Sequence, residues 1–286
     1  MQFAKMHGLG NDFVMVNGFT EIIPETDLGE TSRKLCDRHF GIGGDGLILA
    51  LPSARALFRM RMFNPDGSEA EMCGNGIRCF AAFVRSRGLT REAVIPVETL
   101  AGIITPELIS DSKDGPLVQV DMGRPRFARS EIPVLGDEDE AIAASLTLDG
   151  EPYEFTAVSM GNPHCVILVD DVRSFPVTTK GPQIEKLSLF PRRTNVEFVQ
   201  VISNSSDLSR ARMRVWERGA GETLACGTGA CAAAVACAVN RRTGRKVAME
   251  LNGGQLLIEW TDDDRVLMTG PAVEVFTGDV DPARLG

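Results

Sequence analysis

Polar and apolar residues alternate in two short segments of the chain, residues 59–63 and residues 212–216. Alternation with a period of two is typical of a half-buried strand. Each predicted strand is followed by a glycine-containing loop, then by Cys-Gly-x-Gly, and then by an apolar stretch of helical length. These stretches, residues 77–84 and 230–239, are apolar almost all round, so they predict two helices that other parts of the protein enclose.

The two segments belong to an internal repeat. Residues 59–81 match residues 212–234 at a constant offset of 153, and eight of the 23 positions are identical. Residue usage alone gives about one or two identities in such a stretch. Both copies place a cysteine, Cys73 or Cys226, where the predicted helix begins. The offset is far longer than a solenoid unit, so the repeat predicts two similar domains.

Further strands are predicted between turns. They cover residues 47–51, 118–122, 158–169, 196–202, 247–251, 256–260 and 273–276. The balance of elements predicts an α+β fold rich in strands. The joint between the domains is expected near Gly123, where a strand ends and Arg124 and Pro125 follow.

Composition narrows the classes of function. The chain has 286 residues, of which 43% are hydrophobic and 24% are charged, as in globular proteins. Its formal charge of -9 and the lack of a basic cluster argue against a nucleic-acid partner. The longest apolar run, residues 230–239, is too short to cross a bilayer, so no membrane partner is expected. Because no secretory signal opens the chain and its seven cysteines are scattered, we expect a cytoplasmic protein with free thiols.

A cysteine at a helix N-terminus has a specific chemical use. The amides and the dipole of the helix stabilise a thiolate, and adjacent glycines let a ligand approach the backbone. One such helix end can bind a carboxylate. Two of them, facing each other across a domain interface, would place a sulfur on either side of the carbon that carries the carboxylate. One thiolate then removes the α-hydrogen while the opposite thiol protonates the other face, which inverts the stereocentre.

Other interpretations stay open at this point. A non-catalytic amino-acid binding module needs only one helix terminus, and a redox switch would join Cys73 to Cys226 in a disulfide. Residues 41–46 fit the dinucleotide fingerprint G-x-G-x-x-G, but they precede the predicted strand at 47–51 instead of following a strand, so we reject a dinucleotide site. Three histidines far apart in sequence predict no metal site.

Four segments resemble the diaminopimelate epimerase family: residues 7–13 (HGLGNDF), 72–76 (MCGNG), 161–165 (GNPHC) and 217–229 (ERGAGETLACGTG). The resemblance implies an isomerase without cofactor or metal that interconverts LL- and meso-2,6-diaminopimelate, in the synthesis of lysine and peptidoglycan precursors. It also implies a homodimer of chains with two similar domains, each a sheet wrapped around a central helix. The implied N-terminal half is residues 1–123 with a final strand from 272–286, the C-terminal half is residues 124–271, and the active site lies in the cleft between them.

The same resemblance assigns roles to individual residues. Cys73 and Cys226 become the acid/base pair. The reacting carboxylate is assigned to the backbone around Gly74, Asn75, Gly227 and Thr228. The rest of the substrate is assigned to Asn11, Asn64, Asn162, Asn195, Glu217 and Arg218. His164 and Glu217 are expected to adjust the thiol pKa values, and Phe276 to contact the partner chain of a dimer.

One position departs from the family pattern, and related enzymes remain as alternatives. Where some members carry Gln, this chain has Gly46, so a substrate contact there is absent or comes from the backbone. Proline and hydroxyproline racemases resemble this chain in their paired cysteines, but their ligand does not require Asn64, Asn195 and Arg218 together. Phenazine-type isomerases lack the cysteine pair.

Overall fold

The computed structural model describes residues 1–110 and 115–285. The chain divides into two compact units, Met1–Asp121 with Thr269–Gly286, and Met122–Met268. Residues 111–114, within the predicted N-terminal half, and residue 286, at the end of its predicted final segment, lie outside the described residues. Within the described part of the chain, no helix is both long enough and apolar enough to span a membrane.

Strands and helices are numbered in chain order. The strands are β1 (Gln2–Gly8), β2 (Asn11–Asn17), β3 (Gly46–Leu51), β4 (Phe58–Phe63), β5 (Glu69–Ala70), β6 (Val97–Thr99), β7 (Gly102–Ile104), β8 (Glu107–Ser110), β9 (Leu117–Asp121), β10 (Ala144–Leu148), β11 (Glu151–Ser159), β12 (Pro163–Leu168), β13 (Asn195–Ser203), β14 (Ser209–Glu217), β15 (Gly221–Thr223), β16 (Lys246–Leu251), β17 (Gly254–Trp260), β18 (Val266–Pro271) and β19 (Val273–Asp279). The α-helices are α1 (Leu28–Cys36), α2 (Gly74–Ser86), α3 (Val177–Glu185) and α4 (Gly227–Val239). Short 3-10 helices cover Glu25–Asp27 and Pro282–Arg284.

The first unit is a sheet folded around α2. Its strands lie in the order β19-β1-β2-β3-β4-β6-β7, and β5 pairs with β4. The β2/β3 and β4/β6 pairs are parallel, whereas β1/β2 and β3/β4 are antiparallel. Every residue from Gly74 to Val84 is buried, with Ile77 and Phe80 fully buried. The predicted apolar helix is therefore confirmed as the centre of its unit.

The second unit repeats this plan around α4. Its strands lie in the order β10-β11-β12-β13-β14-β16-β17-β18, and β15 pairs with β14. The helix packs against β11, β12, β13 and β17. Because its buried side chains are mostly alanine and cysteine, the surrounding strands can approach the helix closely, and alanine also favours the helix itself. The α+β fold with a sheet around a central helix in each unit agrees with the prediction.

The internal repeat has a clear structural counterpart. In both units a strand turns back into a very short strand that pairs with it, and the chain then enters the central helix. Arg61 forms a bidentate ion pair with Glu69, with N–O distances of 2.7 and 2.9 Å. Arg214 and Glu222 form the same pair at 2.7 and 3.0 Å. These two identities in the repeated sequence thus fix the same turn before each cysteine, because bidentate pairs constrain geometry strongly.

The prediction of one continuous strand over residues 158–169 is wrong. The structure has two antiparallel strands there, because β11 ends at Ser159 and β12 begins at Pro163. Gly161 has a φ of 97°, which favours glycine, and Pro163 follows directly after Asn162. The apolar residues on both sides concealed this turn in the sequence pattern.

Candidate active site

Cys73 is the N-cap of α2 and has extended backbone angles, with φ of −137° and ψ of 124°. The amide of Ile77 donates to the Cys73 carbonyl at 2.8 Å. The amides of Gly74, Asn75 and Gly76 precede this bond, so they belong to the first turn, where a helix cannot satisfy its own N–H groups. This end of α2 has the donors that an anion requires.

Asn11 links Cys73 to the rest of the first unit. It begins β2 directly after a tight turn in which Leu9 has a φ of 59° and Gly10 a φ of 87°. Its Oδ1 accepts from Cys73 Sγ at 3.6 Å and from Asn75 Nδ2 at 3.2 Å. Its Nδ2 donates to Oδ2 of Asp45 at 2.7 Å. The structure therefore brings together three residues assigned from the sequence, and adds Asp45.

A charged cluster supports this arrangement. Arg38 Nη2 bridges the two carboxylates, at 2.7 Å from Asp12 and 2.8 Å from Asp45. Lys5 Nζ lies 2.5 Å from the other oxygen of Asp12. Burial by itself raises the pKa of Asp12, but the hydrogen bonds and charges of Arg38 and Lys5 outweigh burial and lower that pKa. The carboxylate of Asp12 is thus held in its charged form.

Asn64 and Gly46 are the two other positions of the first unit that the sequence related to substrate binding. Asn64 lies in the turn after β4, where its Nδ2 donates to Ser68 Oγ at 3.0 Å and its carbonyl accepts from Ser32 at 2.9 Å. At Gly46, a Cβ would lie 2.9 Å from the Phe63 carbonyl oxygen. A side chain at position 46 would therefore require the backbone around Phe63 to shift.

Cys226 is the N-cap of α4 and has backbone angles close to those of Cys73, with φ of −121° and ψ of 112°. Its sulfur accepts from the Gly229 amide at 3.3 Å and lies 3.5 Å from the hydroxyl of Thr228. The first intrahelical bond runs from the Ala230 amide to the Cys226 carbonyl at 2.9 Å. The amides of Gly227 and Thr228 therefore belong to the open first turn of α4.

Burial dominates the electrostatics of Cys226 and Glu217. Burial raises the pKa of the Cys226 thiol well above its ordinary value, and the charges of Glu217 and Glu197 raise it further. Glu217 is hydrogen-bonded to Cys226 and to Thr223. Burial raises the pKa of Glu217 as well, although these hydrogen bonds oppose the increase. Both shifts favour the protonated forms, and the Glu217 carboxylate accepts the hydrogen bond of the Cys226 thiol.

Glu197 is a residue that the sequence interpretation missed. It is fully buried in β13, and its Oε1 lies 2.7 Å from Nδ1 of His164, which is also fully buried. A Cβ on Gly229 would lie 2.7 Å from the same oxygen, so only glycine allows the helix to approach this carboxylate. Oε2 of Glu197 is buried and has no hydrogen-bond partner among the described residues. The sequence signal was a charged residue in an otherwise apolar buried strand.

His164 connects this carboxylate to the start of α4. Its Nε2 lies 2.9 Å from Oδ1 of Asn162, and Asn162 Nδ2 donates to the Thr228 hydroxyl at 3.3 Å. Glu197, His164, Asn162 and Thr228 therefore form one polar chain that ends beside Cys226. His164, which the resemblance expects to adjust a thiol pKa, is therefore linked to Cys226 through Asn162 and Thr228.

Two further assigned residues of the second unit are hydrogen-bonded to each other: Asn195, which is buried, and Arg218, which is exposed. Asn195 Oδ1 accepts from the Arg218 backbone amide at 2.8 Å, and its Nδ2 donates to the Pro163 carbonyl at 3.2 Å. The Arg218 side chain is exposed and donates to the Arg192 carbonyl at 3.0 Å. In the first unit, Phe276 lies on β19 opposite Lys5 of β1 and is 48% exposed.

Metal-binding groups are absent from what the structure describes. Over residues 1–110 and 115–285, no three His, Cys, Asp or Glu side chains converge into a group that could hold a metal ion. All seven cysteines are free thiols.

The family model and the curated relatives that match this chain carry the same family name. The family model for diaminopimelate epimerase matches residues 3–128 and 156–275. The diaminopimelate epimerase of Moorella thermoacetica is 59% identical over 280 residues, which cover 98% of this chain and 99% of that protein. The diaminopimelate epimerase of Pelotomaculum thermopropionicum is 54% identical over 279 residues, which cover 98% of each chain.

Solved structures with distant sequences share the fold. A phenazine biosynthesis protein of the PhzF family from Bacillus anthracis has a TM-score of 0.72 at 17% identity, and the match covers 98% of both chains. A hydroxyproline epimerase from Agrobacterium vitis has a TM-score of 0.64 at 17% identity, covering 100% of this chain and 94% of that one. These likenesses concern the architecture alone.

Glu197→Gln tests the charge beside Cys226. Removing this negative charge lowers the pKa of the Cys226 thiol, because Glu197 is one of the groups that raise it. We expect alkylation of Cys226 by iodoacetamide, followed by peptide mass spectrometry across a pH series, to reach its midpoint at lower pH than in the wild type. Glu250→Gln, which removes a carboxylate paired with Arg212 at the surface, serves as control and leaves the midpoint unchanged. An unchanged or higher midpoint in Glu197→Gln contradicts this account.

Proposed function

Because the chain belongs to the diaminopimelate epimerase family and is an isomerase, we propose that it interconverts LL- and meso-2,6-diaminopimelate with two cysteines as acid and base. The reaction needs no cofactor and no metal. One observation carries the mechanism: each unit starts its central helix at a cysteine, followed by glycine and an open first turn. In this proposal the two units are the two halves of the enzyme, and the substrate binds in the cleft between them.

The helix starts bind the carboxylate next to the reacting carbon. Amides around Gly74 and Asn75 on one side, and around Gly227 and Thr228 on the other, supply preorganised donors. When the α-hydrogen leaves, negative charge spreads from the carbon into this carboxylate, and fixed amide dipoles stabilise that charge without rearranging. The glycines allow the close approach that such contacts require.

Proton transfer proceeds from one face to the other. In one direction, Cys226 passes its proton to Glu217, whose basicity burial has increased, and the resulting thiolate takes the α-proton. The electron pair of the C–H bond stays on the carbon and its carboxylate. Cys73 then gives its thiol proton to the opposite face, which inverts the centre. After the product leaves, Glu217 releases its proton to solvent and the Cys73 thiolate takes one up, which restores the starting state. The reverse direction uses the two cysteines in opposite roles.

The far end of the substrate carries a second amino group and carboxylate. We assign it to Asn64, Asn162, Asn195 and Arg218, with Asn11 and Glu217 close to the reacting centre. Arg218 suits a carboxylate because its guanidinium offers two parallel donors. Two contacts support the assignment: Asn195 holds the Arg218 backbone, and the Arg218 side chain is exposed. Proline or hydroxyproline as substrate would leave these groups without a partner, which is unfavourable for binding.

The reaction supplies precursors of lysine and of peptidoglycan. We place it in the cytoplasm, since a pair of catalytic thiols requires a reducing compartment and all seven cysteines are free.

Solvent isotope exchange tests the reaction itself. Reduced enzyme incubated with LL-diaminopimelate in deuterated water should give the meso isomer with deuterium at the inverted α-carbon, because thiol protons exchange with solvent. Chiral separation with mass spectrometry measures both. L-Proline and trans-4-hydroxy-L-proline serve as controls and should show no exchange. Lack of exchange into diaminopimelate, or equal exchange into the cyclic amino acids, contradicts the proposed substrate.

Substitution of each N-cap cysteine tests the acid/base pair. We expect Cys73→Ala and Cys226→Ala each to lower kcat/KM by on the order of 1,000-fold, the typical contribution of general acid/base groups. Cys79→Ala in α2 and Cys231→Ala in α4 are matched controls, since these thiols lie in the same helices away from the N-cap, and they should retain activity. Full activity in either N-cap variant contradicts a mechanism with two sulfur atoms.

The proposed homodimer is supported by the surface of β19. This strand is the outermost of its sheet, and Val275 and Phe276 on it are 57% and 48% exposed. Phe276 packs edge-on against Phe3 with ring centroids 5.9 Å apart, which keeps its ring fixed at this surface. An outer strand with exposed apolar side chains is a surface on which a second chain can pack.

Phe276→Arg should disrupt this dimer, because the substitution places a charge in an apolar contact. Sedimentation velocity of the wild type should give a dimer, and the variant should shift towards monomer. Phe40→Arg is the control, since Phe40 is 76% exposed and does not belong to β19; this variant should remain dimeric. A monomeric wild type, or a fully dimeric Phe276→Arg variant, excludes the proposed contact.

A further inference from the structure

Four side chains in the first unit, those of Arg78, Asn75, Asn11 and Asp45, form a hydrogen-bonded chain that passes beside Cys73. Nη2 of Arg78 donates to Oδ1 of Asn75 at 2.8 Å, and Nδ2 of Asn75 donates to Oδ1 of Asn11 at 3.2 Å. Nδ2 of Asn11 donates to Oδ2 of Asp45 at 2.7 Å. The Cys73 sulfur lies 3.6 Å from the same Asn11 oxygen that accepts from Asn75.

The two ends of this chain determine which way both amides point. A guanidinium has only donors, so the Asn75 oxygen must face Arg78 and its NH2 group must face Asn11. An ionised carboxylate has only acceptors, so the Asn11 NH2 group must face Asp45. A flipped Asn11 would place NH2 against the Asn75 NH2 group, and its oxygen against the Asp45 carboxylate. Both ends therefore require the same orientation of Asn11.

The ends of the chain are themselves held in place. Arg78 is fully buried, and it also donates to the Gly74 carbonyl at 3.3 Å and to the Pro271 carbonyl at 3.4 Å. Asp45 accepts from Arg38 at 2.8 Å and from the Asp12 amide at 3.1 Å. Neither end can turn away without losing several hydrogen bonds, so the Asn11 amide has one orientation in this unit.

The consequence concerns the protonation of Cys73. An oxygen acceptor fixed beside a sulfur stabilises S–H and repels S⁻. We propose that Arg78 and Asp45 act as positioning residues that orient the Asn11 carbonyl towards Cys73 and thereby keep Cys73 as the thiol in the substrate-free enzyme. This proposal rests on the proposed function, in which Cys73 is the proton donor for a substrate whose α-hydrogen faces the other cysteine. It identifies Cys73 as the acid of the resting enzyme.

The charged groups of the first unit that surround Cys73 and Asn11 lie on several elements. Arg78 lies on α2, Asp12 on β2 and Lys5 on β1, while Asp45 and Arg38 lie in the segment between α1 and β3. Substituting Asp45 alters both the orientation of Asn11 and the local charge. A control must therefore remove a carboxylate from the same cluster without touching the Asn11 side chain, and Asp12 provides it through its pairs with Arg38 and Lys5.

The first measurement is infrared difference spectroscopy of the substrate-free enzyme at neutral pH. The spectrum of the wild type minus that of Cys73→Ala should contain an S–H stretching band shifted to lower frequency, as expected for a thiol that donates a hydrogen bond. Lack of an S–H band in this difference means that Cys73 is a thiolate and overturns the proposal. The measurement needs no turnover, so it remains decisive even if diaminopimelate is not the substrate.

The second measurement separates orientation from charge. In Asp45→Asn the residue at position 45 no longer requires the Asn11 NH2 group, and only the hydrogen bond from Asn75, at 3.2 Å, still favours the original orientation. The Asn11 NH2 group therefore faces the sulfur in a larger fraction of molecules than in the wild type. Alkylation of Cys73 by iodoacetamide, followed by peptide mass spectrometry across a pH series, should then reach its midpoint at lower pH than in the wild type and at lower pH than in Asp12→Asn. A midpoint in Asp45→Asn equal to that in Asp12→Asn assigns the effect to charge alone and overturns the role of Asn11 orientation.

Discussion

The amide groups at the starts of α2 and α4 are the constraint on which the rest of the structure depends. A helix leaves its first N–H groups without internal partners, and burying such groups without acceptors is costly. Both helices are central to their units, so their starts cannot simply be moved into solvent. Each unit places a cysteine at the N-cap and a glycine directly after it, so no Cβ at that glycine obstructs an approach to the open amides. In the proposed function, the amides that make the helix start costly to bury are the groups that bind the substrate carboxylate.

The backbone before each helix start is held by the same kind of ion pair. The side chains that surround the two cysteines are different. The bidentate Arg–Glu pairs, Arg61 with Glu69 and Arg214 with Glu222, fix equivalent turns before each cysteine. Around Cys73 the neighbours are the side-chain amides of Asn11 and Asn75, which are hydrogen-bonded to Asp45 and Arg78. Around Cys226 they are buried carboxylates and a histidine. A repeated scaffold with different surroundings gives the two thiols different chemical environments, as the proposed pair of acid and base requires.

The sequence was sufficient for the scaffold because the scaffold depends on local patterns. Strand period, the length of the apolar stretches and the repeated Cys-Gly-x-Gly motif predicted both central helices and placed both cysteines at their starts. The break between β11 and β12 was missed because apolar residues continue on both sides of Gly161, and a two-strand hairpin resembles one long strand in such a pattern. Asp45 and Glu197 were missed for another reason: their roles come from contacts with residues distant in sequence, which periodicity does not report.

In the proposed reaction, one substrate carbon lies between the side chains of Cys73 and Cys226. The most direct measurement is a crystal structure of the Cys73→Ser variant with diaminopimelate bound, in which exchange is slowed enough for the ligand to be observed. We predict that the Cys226 sulfur and the hydroxyl oxygen introduced at position 73 lie on opposite faces of the α-carbon, each at about 3–3.5 Å from it. We also predict that amides of both helix starts contact the adjacent carboxylate. An α-carbon that contacts only one of these two side chains, with the other remote from the ligand, contradicts the claim.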